Sequence, residues 1–199
     1  DFRYHGLAIN LQGMGVVGYK KTARSAWYQN SSEGKIWSIT ESNPLLRGAI
    51  TRTYTQYVNP GATFSFTDSS TPTGMISSTI NTYESSITPN KVYSLLLKQQ
   101  SVRDNLTNFT TDQYYHYLPE YNLLEKTIVN KRIGSSIQST ATTINQYENN
   151  PTGIGSDYYI GRLKQSNASI QAYSDIKKSE SKYTYTNNRV SKTESKANN

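Results

Sequence analysis

Apolar side chains in this chain almost never recur three and four places apart over more than two turns, so no stretch offers a helix one continuous apolar face. β-Branched residues dominate, and they favour a pleated chain. The run Ile50-Thr51-Arg52-Thr53-Tyr54-Thr55-Gln56-Tyr57-Val58 is rich in such residues and stops at Asn59-Pro60-Gly61, a strong turn signal. Residues 62–66 then set Phe64 and Phe66 on one side of a pleat, which predicts a second strand joined to the first by that turn. Further strands are expected over residues 2–10, 16–28, 35–41, 75–83, 91–100, 126–131, 138–147, 161–164 and 182–192. Residues 104–113 read as a loop, because Asn105, Thr107 and Asn108 offer the backbone competing side-chain hydrogen bonds. Clusters of Ser, Thr, Pro, Asn and Gly at 68–74 and 149–155 mark hairpin tips or strand connections rather than domain linkers. The expected fold is all-β, with antiparallel hairpins forming an extended, curved sheet and little helix.

Composition says how thick such a sheet can be. The hydrophobic fraction is 34%, and 17 of those residues are Tyr, against the roughly 45–50% apolar usage of ordinary globular domains. A deep aliphatic core is therefore not expected. Charged residues make up only 18%, too few to hold a polar chain open by self-repulsion throughout. The formal charge of +7 is scattered over Lys20, Lys21 and Arg24, Lys131 and Arg132, and Lys177 and Lys178. That spread fits solvated faces better than the clustered footprint of a nucleic-acid binder. Cysteine is absent, which removes disulfide frameworks and thiolate metal sites. No stretch approaches the roughly 18 apolar residues of a membrane span. Asp1 opens the chain without a basic-then-apolar segment, so a signal for export to the exterior or the cell surface is expected outside this stretch. Residues 1–190 read as one β-hairpin segment. Residues 191–199 carry no large apolar side chain and read as a flexible tail or a continuation of the sheet.

Candidate chemistry is sparse. The histidines are His5 and His116, too few for most zinc sites without cysteine or a carboxylate cluster, and both read as packed or exposed side chains. No Ser, Asp or Glu stands in a triad motif, so no catalytic, metal or cofactor residue is assigned and no enzyme activity is expected. Glu120 and Glu125 are a conceivable acid and base, but such a pair works only when held at a defined separation across a substrate. Gly13, Gly15 and Gly18 match a dinucleotide fingerprint in spacing alone, with no helix or βαβ setting after them. Tyr114, Tyr115, Tyr117 and Tyr121, with Pro119, offer rings that stack on sugars, peptides or bases when exposed and fill a sheet face when not. Asn105-Leu106-Thr107, Asn108-Phe109-Thr110 and Asn167-Ala168-Ser169 fit the glycosylation acceptor pattern, which has meaning in a eukaryotic secretory setting.

The most informative stretch is Tyr4-His5-Gly6-Leu7 followed by Gly13-Met14-Gly15-Val16-Val17-Gly18-Tyr19, glycines set among β-formers. With Asn43-Pro44-Leu45-Leu46-Arg47-Gly48, it resembles the tyrosine and glycine signature of the shell regions of Rhs and YD-repeat proteins, including the B components of Tc insecticidal toxins. Met14, Val16 and Asn43 stand where that family usually has Arg, Phe and Phe. Tyr158-Tyr159-Ile160-Gly161-Arg162-Leu163 is similar to the family's aromatic-Gly-Arg strand opening. Lys182-Tyr183-Thr184-Tyr185-Thr186-Asn187-Asn188-Arg189-Val190 is similar to a degenerate YD repeat turning at Asn187-Asn188, and Glu120-Tyr121-Asn122-Leu123-Leu124 to a worn copy. The resemblance implies a wall segment of a secreted toxin's hollow β-shell, whose partners are adjacent segments of the same parent polypeptide and an encapsulated toxin cargo. It implies no cofactor, nucleic acid or direct membrane span. The competing expectation is a cell-surface adhesin or carbohydrate-binding β-sandwich that uses the tyrosine cluster at 114–121.

Overall fold

A computed structural model describes residues 1–11, 15–30, 32–67, 72–87 and 89–198. The chain is all-β. Its strands are β1 (Phe2–Asn10), β2 (Gly15–Ser25), β3 (Lys35–Asn43), β4 (Ala49–Val58), β5 (Met75–Ile87), β6 (Tyr93–Asp104), β7 (Phe109–Leu118), β8 (Leu123–Ile133), β9 (Ser136–Asn150), β10 (Tyr159–Ala172), β11 (Asp175–Thr186) and β12 (Arg189–Asn198). Their order in the sheet is their order in sequence, so each hairpin pairs with the next without a crossover. Among the described residues, helix is confined to two single 3₁₀ turns, Pro44–Leu46 and Gly155–Asp157.

The chain divides into two compact units, Asp1–Thr110 and Thr111–Asn199. In the first, the apolar side chains that reach full burial are Ala23, Trp37, Ile39, Tyr54 and Val58. Strand pairing explains their grouping: Ala23 faces Ile39, and Ile39 faces Tyr54, across β2, β3 and β4. One side of a three-strand patch is thus apolar. Its cover is not a strand. Residues 62–67, expected to pair as β structure, instead run as an irregular strap across this patch. The Phe64 ring stacks on Trp37 at 4.1 Å between centroids, and Phe66 follows at 5.6 Å from Phe64. The two-residue spacing that puts both rings on one side was legible in the sequence. What the turn at 59–61 could not reveal is that the chain lifts off the sheet plane after it, because the ladder position beside β4 goes to β5. The Tyr57 amide donates to the Gly74 carbonyl where the strap returns, at 2.9 Å.

The second unit has no comparable core. Among its described residues only Asp112 is fully buried, held by the Arg132 guanidinium at 2.7 Å. Its strands are long, polar on both faces and held by ladder bonds and side-chain pairs. The chain as a whole also keeps much of its surface exposed. The total is 13313 Å², above the roughly 11,400 Å² expected for two separate compact bodies of half the mass each.

Two further expectations change. Residues 109–113, read as loop, open β7, while the turn is confined to residues 105–108 before it. Residues 182–192, read as one strand by their pattern, are split where the resemblance set a turn, at Asn187 and Asn188, whose φ values of 50° and 62° give the double left-handed turn that a tight hairpin prefers. The second half of β11–β12 then pairs as far as Lys178 opposite Asn198, so the residues from 191 to 198 lie in a strand.

Candidate functional site: a repeated bulge and tyrosine clasp

Three hairpins of the first unit and two of the second carry the same irregularity. In β1–β2, β3–β4, β5–β6, β9–β10 and β11–β12 the second strand holds one extra residue, respectively Val17, Thr51, Lys98, Lys164 and Ser191. A bulge adds local twist and re-aims neighbouring side chains, so a bulge repeated from hairpin to hairpin is a device rather than a defect.

A backbone carbonyl near the start of the acceptor strand takes the side-chain donors, and at Ile50 and Leu163 it belongs to the residue before the bulge. The Tyr83 hydroxyl on β5 donates to the Ile50 carbonyl on β4 at 3.0 Å. Tyr147 on β9 donates to Leu124 on β8 at 2.9 Å, and Tyr185 on β11 to Leu163 on β10 at 2.8 Å. Each hydroxyl crosses to the preceding hairpin, so the clasp joins repeat to repeat rather than closing one hairpin. A second donor reinforces two of them: the Asn81 amide reaches the Ile50 carbonyl at 3.0 Å, and the Asn145 amide the Leu124 carbonyl at 3.1 Å. Asn81 in turn accepts from Gln100 at 3.0 Å, and Asn145 accepts from Ser166 at 2.9 Å. The bulged lysines make equivalent ion pairs, Lys98 with Glu84 and Lys164 with Glu148, both at 3.0 Å.

Each acceptor sits two residues after a backbone position in the left-handed region. Gly48 (φ 80°) precedes Ile50, Asn122 (φ 54°) precedes Leu124, and Gly161 (φ 75°) precedes Leu163. Gly and Asn are the residues that enter this region at least cost. The geometry has a sequence trace that pattern reading missed. Thr79-Ile80-Asn81-Thr82-Tyr83-Glu84 and Thr143-Ile144-Asn145-Gln146-Tyr147-Glu148 agree at five of six positions, and Leu97-Lys98-Gln99 recurs as Leu163-Lys164-Gln165. A search for self-similarity across the chain exposes it; a search for local turns does not.

The residues singled out from sequence fall as follows. Gly13 and Met14 lie outside the described residues, while Gly15 (φ 69°) and Gly18 (φ 129°) belong to β2, with Gly18 beside the bulged Val17. Tyr4 and Tyr19 meet at 4.9 Å between ring centroids. Asn43 caps the 3₁₀ turn at 44–46 by accepting the Leu45 amide at 2.9 Å, and Arg47 and Gly48 leave it in left-handed conformations. His5 meets the edge of the Phe66 ring at 6.5 Å, and His116 is exposed on β7. Glu120 and Glu125 are both exposed, one in the β7–β8 turn and one on β8. Tyr114, Tyr115, Tyr117 and Tyr121 are all half-buried. Burial and the neighbouring Glu120 carboxylate raise the Tyr121 pKa above that of an ordinary tyrosine. Arg162 lies against the faces of Tyr159 and Tyr185, 3.4 Å and 4.9 Å from their centroids, and donates to Asn188.

Among the described residues of the first unit, one charged group is fully buried. Lys21 Nζ sits 3.3 Å from a Glu41 oxygen, donates to the Thr67 carbonyl at 3.3 Å, and lies 5.5 Å from the Phe66 centroid and 5.9 Å from that of Tyr54. An open cleft of about 350 Å³ beside it is lined by Lys20, Lys21, Glu41 and the turn at 42–44. Its ammonium and carboxylate are spent on each other, so the cleft presents no activated group. Among the described residues no three His, Cys, Asp or Glu side chains converge as a metal site.

Fold and clasp together define a hairpin-repeat β protein, in which the β5–β6, β9–β10 and β11–β12 hairpins are each tied to the preceding strand through side chains as well as the ladder. No protein-family model, curated protein or solved structure matches the chain.

Proposed function

We propose that this chain is a non-catalytic wall segment of a secreted β-shell of the Rhs and YD-repeat type, and that it encloses a polypeptide cargo by steric exclusion. The observation that carries this reading is the tyrosine clasp recurring between successive hairpins at Ile50, Leu124 and Leu163. A wall one sheet thick has no core to resist shear between hairpins, and side-chain clasps on either side of the ladder supply that resistance. The clasp strands also coincide with the stretches at 158–163 and 182–190 that resemble the family's repeat. Polar residues on both faces of the second unit suit a wall wetted on both sides.

The test is encapsulation by the parent polypeptide. Its cargo should survive protease while the wall is whole and be cleaved when the β5–β6 hairpin, residues 75–104, is deleted. A cargo digested equally in both forms, or a parent reading frame with no tyrosine-rich repeats flanking this stretch, would remove the reading. So would a 199-residue chain that behaves alone as a monodisperse, cooperatively melting monomer. The adhesin alternative needs open rings, and the tyrosines at 114–121 are half-buried.

A further inference from the structure

β12 repeats the acceptor half of the clasp with nothing yet engaged in it. Val190 stands two residues after Asn188, which is left-handed at φ 62°, and immediately before the bulged Ser191. Gly161-Arg162-Leu163-Lys164 and Gly48-Ala49-Ile50-Thr51 have the same order of left-handed residue, spacer, apolar acceptor and bulge. Register extends the match: Val190 pairs with Tyr185, as Leu163 pairs with Tyr147 and Leu97 with Tyr83. In β4 and β10 the acceptor carbonyl serves the strand that follows. The only sheet neighbour of β12 is β11, and among the described residues no side chain donates to Val190.

We infer that the outer edge of β12 is a docking site for one antiparallel strand carrying a tyrosine, whose hydroxyl donates to the Val190 carbonyl and so fixes the register of the added strand. The inference rests on the wall-segment reading only in taking edge pairing as the mode of assembly. The occupant is a tyrosine-bearing strand rather than β1 of a second copy. At the clasp height of the first hairpin β1 has Ile9, paired with Val16, where β5, β9 and β11 have Tyr83, Tyr147 and Tyr185. An isoleucine brings no hydroxyl. Side chains along β12 also suit strand addition. Lys192, Glu194 and Lys196 alternate in sign, and the Lys192–Glu194 pair closes at 2.6 Å. A strand with the opposite alternation gains cross-strand ion pairs in the clasped register and loses them when slipped by two.

The probe is a peptide copying residues 142–150, which contains Asn145 and Tyr147, added to the full 199-residue chain. A second version grafts residues 137–150 after residue 199 through an Asn-Gly turn, a length that sets Tyr147 opposite Arg189 as it lies opposite Leu123 in the chain itself, so that weak affinity cannot hide the effect. Amide hydrogen exchange across residues 189–198 is the readout. The expected result is protection of alternate β12 amides by at least tenfold, reduced about five-fold when the probe carries Tyr147→Phe, as befits one neutral hydrogen bond. Equal protection by the Tyr and Phe probes would overturn the clasp while leaving edge pairing, and with it the wall reading, intact. No protection from either probe would remove both. Concentration-dependent self-association that protects β12 without a probe would assign the edge to a second copy and overturn the inference.

Discussion

The clasp makes a prediction in which the same chemistry gives different energies at two places. At Leu124 the carbonyl accepts from both Asn145 and Tyr147 in a partly buried setting, whereas at Ile50 the equivalent bonds from Asn81 and Tyr83 are solvent-exposed. Tyr147→Phe removes one donor and leaves the other, so it should cost about 0.5–1.5 kcal/mol, the net worth of one hydrogen bond. Asn145→Ala should cost more, because it also strands the Ser166 hydroxyl that donates to its side chain. The double variant leaves the Leu124 carbonyl with no side-chain donor and half-shielded from water, which adds a penalty of about 1 kcal/mol beyond the sum of the singles. At Ile50 water replaces both donors, and the matching cycle of Tyr83→Phe with Asn81→Ala should be additive to within about 0.5 kcal/mol. Because the chain has two compact units, native-state hydrogen exchange against urea is the right assay, read on β8–β9 amides for one cycle and β4–β5 amides for the other. Additivity at Leu124, or an equal coupling at both carbonyls, would refute the reasoning that the buried carbonyl, rather than the tyrosine ring, gives the clasp its strength.

Three more outcomes follow from the first unit. Trp37 is 2% exposed and Trp27 87% exposed, so acrylamide should quench only part of the tryptophan emission; Phe64→Ala, which strips the ring stacked on Trp37, should red-shift the protected part and cost about 2 kcal/mol, below the ~3–5 of a fully buried Phe. Lys21→Ala should be strongly destabilising in thermal melts, because it leaves the half-buried Glu41 without its 3.3 Å partner, whereas Lys21→Met with Glu41→Leu should be neutral or stabilising, as when other buried ion pairs become apolar. The Asp104 carboxylate accepts the Thr107 hydroxyl at 2.8 Å and the Leu106 amide at 2.9 Å, bonds that hold its pKa below the ordinary value. A depressed folded-state pKa contributes stability above the unfolded pKa and loses it as pH falls through the folded one. Acidification through that window should therefore speed exchange at the Leu106 amide, and Asp104→Asn should abolish the pH dependence.

Reading the chain by periodicity located most strands, because the signals are local. β-Branched runs stiffen the backbone, and Asn59-Pro60-Gly61 or Asn187-Asn188 reverse it through φ values set within one or two residues. It placed strand ends poorly: residues 161–164 marked only the opening of β10, which runs on to Ala172 through Gln165-Ser166-Asn167-Ala168-Ser169, a stretch with little strand preference of its own. Such residues are strand because β9 and β11 lie on both sides of them.

The candidate site was half legible. The repeat stretches at 158–163 and 182–190 were visible as tyrosine and glycine patterns. The equivalence of 79–84 with 143–148 spans 64 positions and gains meaning only when Tyr83 and Tyr147 are seen to reach equivalent carbonyls.

Sequence alone therefore determined that this protein is β-rich, thin and punctuated by turns, since steric preference and apolar content belong to each residue and its nearest neighbours. Tertiary structure alone decided that residues 62–67 leave the sheet to roof Trp37, that Lys21 is buried while Lys20 is not, and that five hairpins each carry one extra residue in their second strand. Those outcomes depend on which strand occupies each edge and in what register. Register is a property of pairs of distant segments, set where one choice buries the rings and satisfies the carbonyls together and a slip of one residue does neither.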